Sequence, residues 1–147
     1  MNIQEQLKAL TDFYVSMDEE EYIKICSDVM SVNTDTLAQE LGLQAIRYSH
    51  YNYLVVKAEY ALNKEEAQLE LISAQKRKEF KITQGKATAK DLDDLVNSSE
   101  EYQEQKGRYI ESKRRHHIMK TIVKALEQKK DMLVQLSAQQ RAETKIY

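Results

Sequence analysis

Not one proline interrupts these 147 residues. Proline removes a backbone donor and collides with the preceding turn, so a chain without it contains nothing that forces a long helix to stop. Glycine is nearly as scarce, at Gly42, Gly85 and Gly107 only, and tight β-hairpins would want more of it. The chain is therefore expected to be all-α. At 41% hydrophobic and 31% charged it is polar for a globule of its length. A thin core, or one completed by further copies, follows from that balance.

The apolar spacing divides the chain into segments. Ile3, Leu7 and Leu10, then Phe13 and Tyr14, recur at helical steps. Ser16 and Asp18 offer caps for a second helix carrying Tyr22, Ile23, Cys26, Val29 and Met30. Residues 1–33 thus form an acidic region of short helices. A long run extends from about Thr36 to Ile82, with Leu41, Tyr48, Val55, Leu62 and Leu69 seven apart. Leu37, Ala45, Tyr51, Ala58 and Ile72 stand beside that line, close to a coiled-coil repeat. Gly42 allows a break. Residues 83–88 form a turn in which Gly85 supplies positive φ. Thr88 caps a short connecting helix at about 88–97 with a near capping box to Asp91. Ser98 or Ser99 then caps a helix reaching about Ala142, whose apolar face is Met119, Ile122, Leu126, Leu133 and Leu136. The expectation is a long antiparallel helical hairpin over 34–147, completed by homo-oligomerisation.

Charge is sorted along this framework. Residues 1–45 hold nine acids and two bases, 76–90 six bases and one acid, and 106–124 seven bases and one acid. The net charge of −2 hides that separation. A basic region on a weakly acidic chain marks a local surface for polyanions, because the net charge would not attract them. If residue 82 meets residue 99, Arg77 lies level with about 104 and Arg114 is ~15 Å further on, which merges the two basic groups.

Lys76, Arg77, Lys78, Lys81 and Lys86 form the first group. Its lysines suit phosphates as point charges and Arg77 binds bidentately. Phe80 is placed to stack on a base. Arg108, Lys113, Arg114, Arg115 and Lys120 form the second. Each group also fits a solvated helix face whose cations complement the helix dipole or acids elsewhere, with Phe80 in the core. Tyr48, Tyr51, Tyr53 and Tyr60 belong by spacing to a core or a subunit contact rather than to base stacking.

Catalytic and metal readings find little. His116 and His117 point about 100° apart on a helix, there is no His-Glu-x-x-His and no cysteine pair, and so no metal is expected. Gly85-Lys86 lacks the spacing of a phosphate loop, and no cofactor or enzyme activity is implied. The single Cys26 fits a reducing cytosol. The first residues read as neither a signal peptide nor a membrane span.

The run EEAQLELISAQKRKEFKITQGKATAKDLDDLVNSSEEYQEQK and the closing segment from Ala125-Leu126 to Arg141-Ala142-Glu143 resemble the bacteriophage UvsY-like recombination mediators. The shared order is a long helix ending in a Lys/Arg cluster, a Gly-containing turn, a small helix, a Ser-x-x-x-Tyr start and the closing helix. The resemblance spans roughly residues 64–143. It implies a non-enzymatic protein that binds single-stranded DNA, contacts a recombinase and a single-strand-binding protein, and forms a ring. It also makes Lys76, Arg77, Lys78 and Lys81 the first choice for DNA contact, in the host cytoplasm if phage-encoded. The rival class is a coiled-coil assembly protein, a scaffold or chaperone, that binds only protein. A third is an enzyme regulator acting through the acidic N-terminus.

Overall fold

Local signals mark the ends of the short helices. The computed structural model describes residues 2–146, with side chains through residue 144. Asn2 opens α1 (Ile3–Ser16) with a capping box to Glu5, and Met17 closes it in the left-handed region at φ 53°. Asp18 caps α2 (Glu19–Asp28) by accepting from the Glu20 amide at 2.7 Å. A 3-10 turn at Thr34–Thr36, capped by Asn33, leads into α3 (Leu37–Thr83). α4 (Ala89–Ser98) and α5 (Glu100–Ile146) follow. The described residues contain no strand, so the all-α expectation holds.

Two local details differ from the sequence expectation. Gly42 does not break α3. Gly85 does not adopt positive φ; the turn instead closes through Ala87 N–H to Gln84 O at 2.8 Å, a geometry that needs no left-handed residue. Ser99 occupies the junction before α5 in extended backbone, and its hydroxyl donates back to Val96 O at 2.7 Å. The capping box at Thr88 forms as its sequence spelling requires, with Thr88 and Asp91 exchanging hydrogen bonds of 3.2 Å. Thr88→Ala should therefore cost about 1 kcal/mol, read as a lower urea midpoint.

The chain divides into two compact units. Unit 1 comprises residues 1–56 and 117–147, and unit 2 comprises 57–116. Unit 1 holds most of the apolar core: Leu10, Phe13, Ile25, Val29, Leu37, Tyr51, Leu54, Met119, Ile122, Leu126 and Leu133 are all buried. In unit 2 the buried apolar side chains among the described residues are Ala58, Leu92 and Val96. Such a thin core leaves unit 2 dependent on helix propensity and polar ties. One of those ties is Gln105 Nε2 donating to the Glu65 carbonyl at 3.1 Å.

The buried line of α3 in unit 1 runs through Leu37, Gln44, Arg47, Tyr51 and Leu54. The expected seam of Leu41, Tyr48 and Val55 flanks it and is half-buried. Two polar residues at the centre of the line hid it from a hydrophobicity pattern. Gln44 Nε2 donates to Leu126 O at 3.1 Å. Arg47 donates to Gln6 Oε1 at 2.8 Å and to Glu40 Oε2 at 2.9 Å. Lys129 of α5 reaches the same Glu40 oxygen at 3.0 Å and donates to the Val29 carbonyl. One carboxylate thus serves two buried cations.

Candidate nucleic-acid interface

The end of α3 and the turn after it carry the first basic group, all of it in unit 2. Arg77, Lys78 and Lys81 border an open groove of about 590 Å³ whose other walls are Ala74, Ala87, Ala89 and Leu92. The capping box fixes where α4 starts, and so delivers Ala89 and buried Leu92 to that groove. Lys86, in the turn itself, lines a neighbouring cavity of about 720 Å³ with Thr83, Gln84, Asp91 and Asp94.

The cations of this group differ in how far they are already engaged. Lys76 is held between Glu101 at 2.9 Å and Glu79 at 3.2 Å. Those hydrogen bonds, Glu101 first and then Glu79, keep its ammonium above the ordinary lysine range. Arg77 pairs with Asp93 of α4. Lys78, Lys81 and Lys86 are exposed and make no ion pair among the described residues. Phe80, placed by sequence either on a base or in the core, is half-buried. Sequence reasoning missed the acids of α4 and the start of α5, since nothing in a linear pattern says that Asp93 and Glu101 fold back onto Arg77 and Lys76.

The second group is arranged differently. Arg114 grips Glu111 with two hydrogen bonds of 2.7 and 3.0 Å, and Arg115 adds a third at 3.3 Å. The Arg114 hydrogen bonds hold the Glu111 carboxyl below the usual range, and Glu111 raises Arg114 in turn. Lys113 lies 6.0 Å from the centre of the Tyr109 ring, within reach of a cation–π attraction. Arg108 is exposed. Lys120 belongs to unit 1, where it lines a groove with Asn52, Val55, His117 and Lys124.

The register inside unit 2 differs from the one expected. Gln105 meets Glu65, Lys76 meets Glu101, and Arg77 meets Asp93 rather than lying level with 104. Arg114 is nine residues beyond Gln105 and Arg77 twelve beyond Glu65, in opposite axial directions. At 1.5 Å per residue the Gln105–Glu65 contact puts them about 31 Å apart along the axis and the Lys76–Glu101 contact about 21 Å, both beyond the expected separation. The basic groups are two patches, not one. α4 takes the place beside the last turns of α3 that sequence reasoning assigned to α5.

No group of three or more His, Cys, Asp or Glu able to hold a metal occurs among the described residues. No helix there is long and apolar enough to cross a membrane. Comparison with protein-family models, curated proteins and solved structures gave no match.

Proposed function

We propose that this chain is a non-enzymatic single-stranded DNA-binding protein that promotes loading of a recombinase, a recombination mediator. The observation that carries the strand-binding part is the set of exposed lysines without an ion pair among the described residues, Lys78 and Lys81 on the groove at the end of α3 and Lys86 on the neighbouring cavity. Lysines free of carboxylates can exchange small counterions for backbone phosphates, and the released ions drive association. The open groove suits a flexible single strand, whose unstacked bases can lie over the Ala and Leu wall while its phosphates meet the lysines. Arg108 and Lys113 offer a second contact further along the same strand.

The mediator part rests on the order of elements that resembles the UvsY-like family. In this reading α3 and α5 form an antiparallel hairpin, a pairing supported by Gln105 on Glu65 in unit 2 and Gln44 on Leu126 in unit 1. Several copies assemble, which multiplies weak strand contacts through effective concentration. The recombinase and single-strand-binding protein are partners on the same footing.

Titration of a labelled single-stranded oligonucleotide at two salt concentrations tests the reading. Binding that weakens steeply as salt rises is the expected result. Absence of affinity at low salt would sink it. The assembly-protein reading would then stand in its place, favoured by the exposed apolar side chains of unit 1, Val15, Ile23, Ile46, Tyr53 and Val56 among them.

A further inference from the structure

The cavity of about 720 Å³ beside the lysine groove lies between the turn and one face of α4. Most of its polar side chains can only accept. The Ser98 hydroxyl donates to the Asp94 carbonyl at 2.8 Å, and the Thr83 hydroxyl donates to the Glu79 carbonyl at 3.1 Å. A hydroxyl has one hydrogen, so both offer a ligand lone pairs alone. Asp91 accepts from the Thr88 amide through one carboxylate oxygen and keeps the other. The Asp94 carboxylate has no partner among the described residues. Adjacent helical positions diverge by about 100°, which is why Asp93 pairs with Arg77 while its neighbour Asp94 lines the cavity. Lys86 supplies positive charge there, and half-buried Ala87 and Leu95 supply apolar surface.

We propose that this cavity takes one base of the bound strand and selects, through the Asp94 carboxylate, a base that carries an exocyclic amino group. The inference rests on the strand-binding part of the proposed function and adds to it a base preference. The chemistry of the wall decides the occupant. Asp91 and Asp94 repel a phosphate, which the neighbouring lysines attract. The cavity and the lysine groove share Ala87 as a wall, so a strand whose phosphates lie on Lys78 and Lys81 passes its bases beside the opening. A free cation would meet the Lys86 ammonium. A nucleotide answers both signs, its amino hydrogens to Asp94 and its phosphate to Lys86. Its ring can lie over Ala87 and Leu95, where a flat base needs no matching shape. An ionised carboxylate accepts and never donates, so it takes a hydrogen bond from the cytosine amino group and is opposed by the carbonyl that thymine or uracil holds at the same position.

Fluorescence anisotropy of the full chain with oligo-deoxycytidine and oligo-deoxyuridine of equal length, at low salt and mildly alkaline pH, tests the assignment. The two bases share a ring size and differ in amino group against carbonyl. The expected result is about 10-fold tighter binding of the cytosine strand. Asp94→Asn should bring that ratio to about one, chiefly by tighter binding of the uridine strand, because an amide can rotate to present a donor or an acceptor. If Asp94 acted only as bulk charge, the variant would gain affinity for both strands equally, so a retained ratio overturns the proposal. Asp94 is exposed and stands outside the Thr88–Asp91 capping box, and circular dichroism reports whether the variant keeps its helices. Should it unfold, a strand of N4,N4-dimethylcytosine on the wild-type chain gives the answer. Loss of both amino hydrogens should lower affinity to the uridine level, and unchanged affinity overturns the proposal. Equal wild-type affinities for cytosine and uridine strands overturn it as well and leave the strand-binding reading standing. Affinity for neither strand sinks that reading, and this inference with it.

Discussion

Glu40→Gln should destabilise unit 1 by about 3–5 kcal/mol, the cost of leaving buried cations without their anion. Arg47 and Lys129 are almost wholly buried, at 1% and 3% side-chain exposure, and both depend on the Glu40 carboxylate. The amide would keep the shape and lose the charge. Lys129→Met should cost less, about 1–2 kcal/mol, chiefly through the orphaned Val29 carbonyl, because Glu40 then still balances Arg47. Combining the two should cost less than the sum, since the second change removes a cation that the first left unpaired. Urea denaturation followed by circular dichroism measures all three. Equal losses for the two single variants would mean that the surplus positive charge is not felt.

The same cluster sets an acid limb. Burial pushes the Glu40 carboxyl up, but hydrogen bonds from Lys129 and then Arg47 outweigh it and hold the group below the usual carboxylate range. A depressed folded pKa adds stability that is fully present above the unfolded-state value and is lost as the pH falls through the folded one. Glu40→Gln should flatten that loss. Burial, against the pull of Glu40, holds Lys129 below the ordinary lysine range. The folded chain then binds fewer protons than the unfolded one in that window, so stability climbs as the pH rises through it. Lys129→Met should remove the climb.

Replacing Lys78, Lys81 and Lys86 together by alanine should lower single-strand affinity by about 10²–10³-fold at low salt, at one charge-assisted contact per lysine. The slope of log affinity against log salt should fall by about 2, since each phosphate contact on a single strand contributes about 0.7. All three are exposed, so folding should be unaffected. Lys76→Ala should change binding little, because Glu79 and Glu101 already occupy that ammonium. Arg77→Ala should fall between, since it removes a cation but also frees Asp93. An unchanged salt slope in the triple variant would assign the strand elsewhere, with Arg108 and Lys113 the next to replace.

Helix content and boundaries could be read from local chemistry, because caps, turns and the absence of proline act over a few residues. The Thr88–Asp91 capping box is written in four letters and forms as written. Met119, Ile122, Leu126 and Leu133 repeat at helical steps, and all are buried. The basic runs were equally plain as composition. What tertiary structure alone decided was which cations remain free and how far apart the runs lie. Asp93 and Glu101 neutralise Arg77 and Lys76 from positions 16 and 25 residues away, and register, not composition, brings them there. Likewise Gln44 and Arg47 look like surface residues by type. They are buried where Leu126 O accepts from the Gln44 amide nitrogen and where Glu40 and Gln6 accept from Arg47 across the fold, and pairing at a distance leaves no periodic trace in a linear pattern.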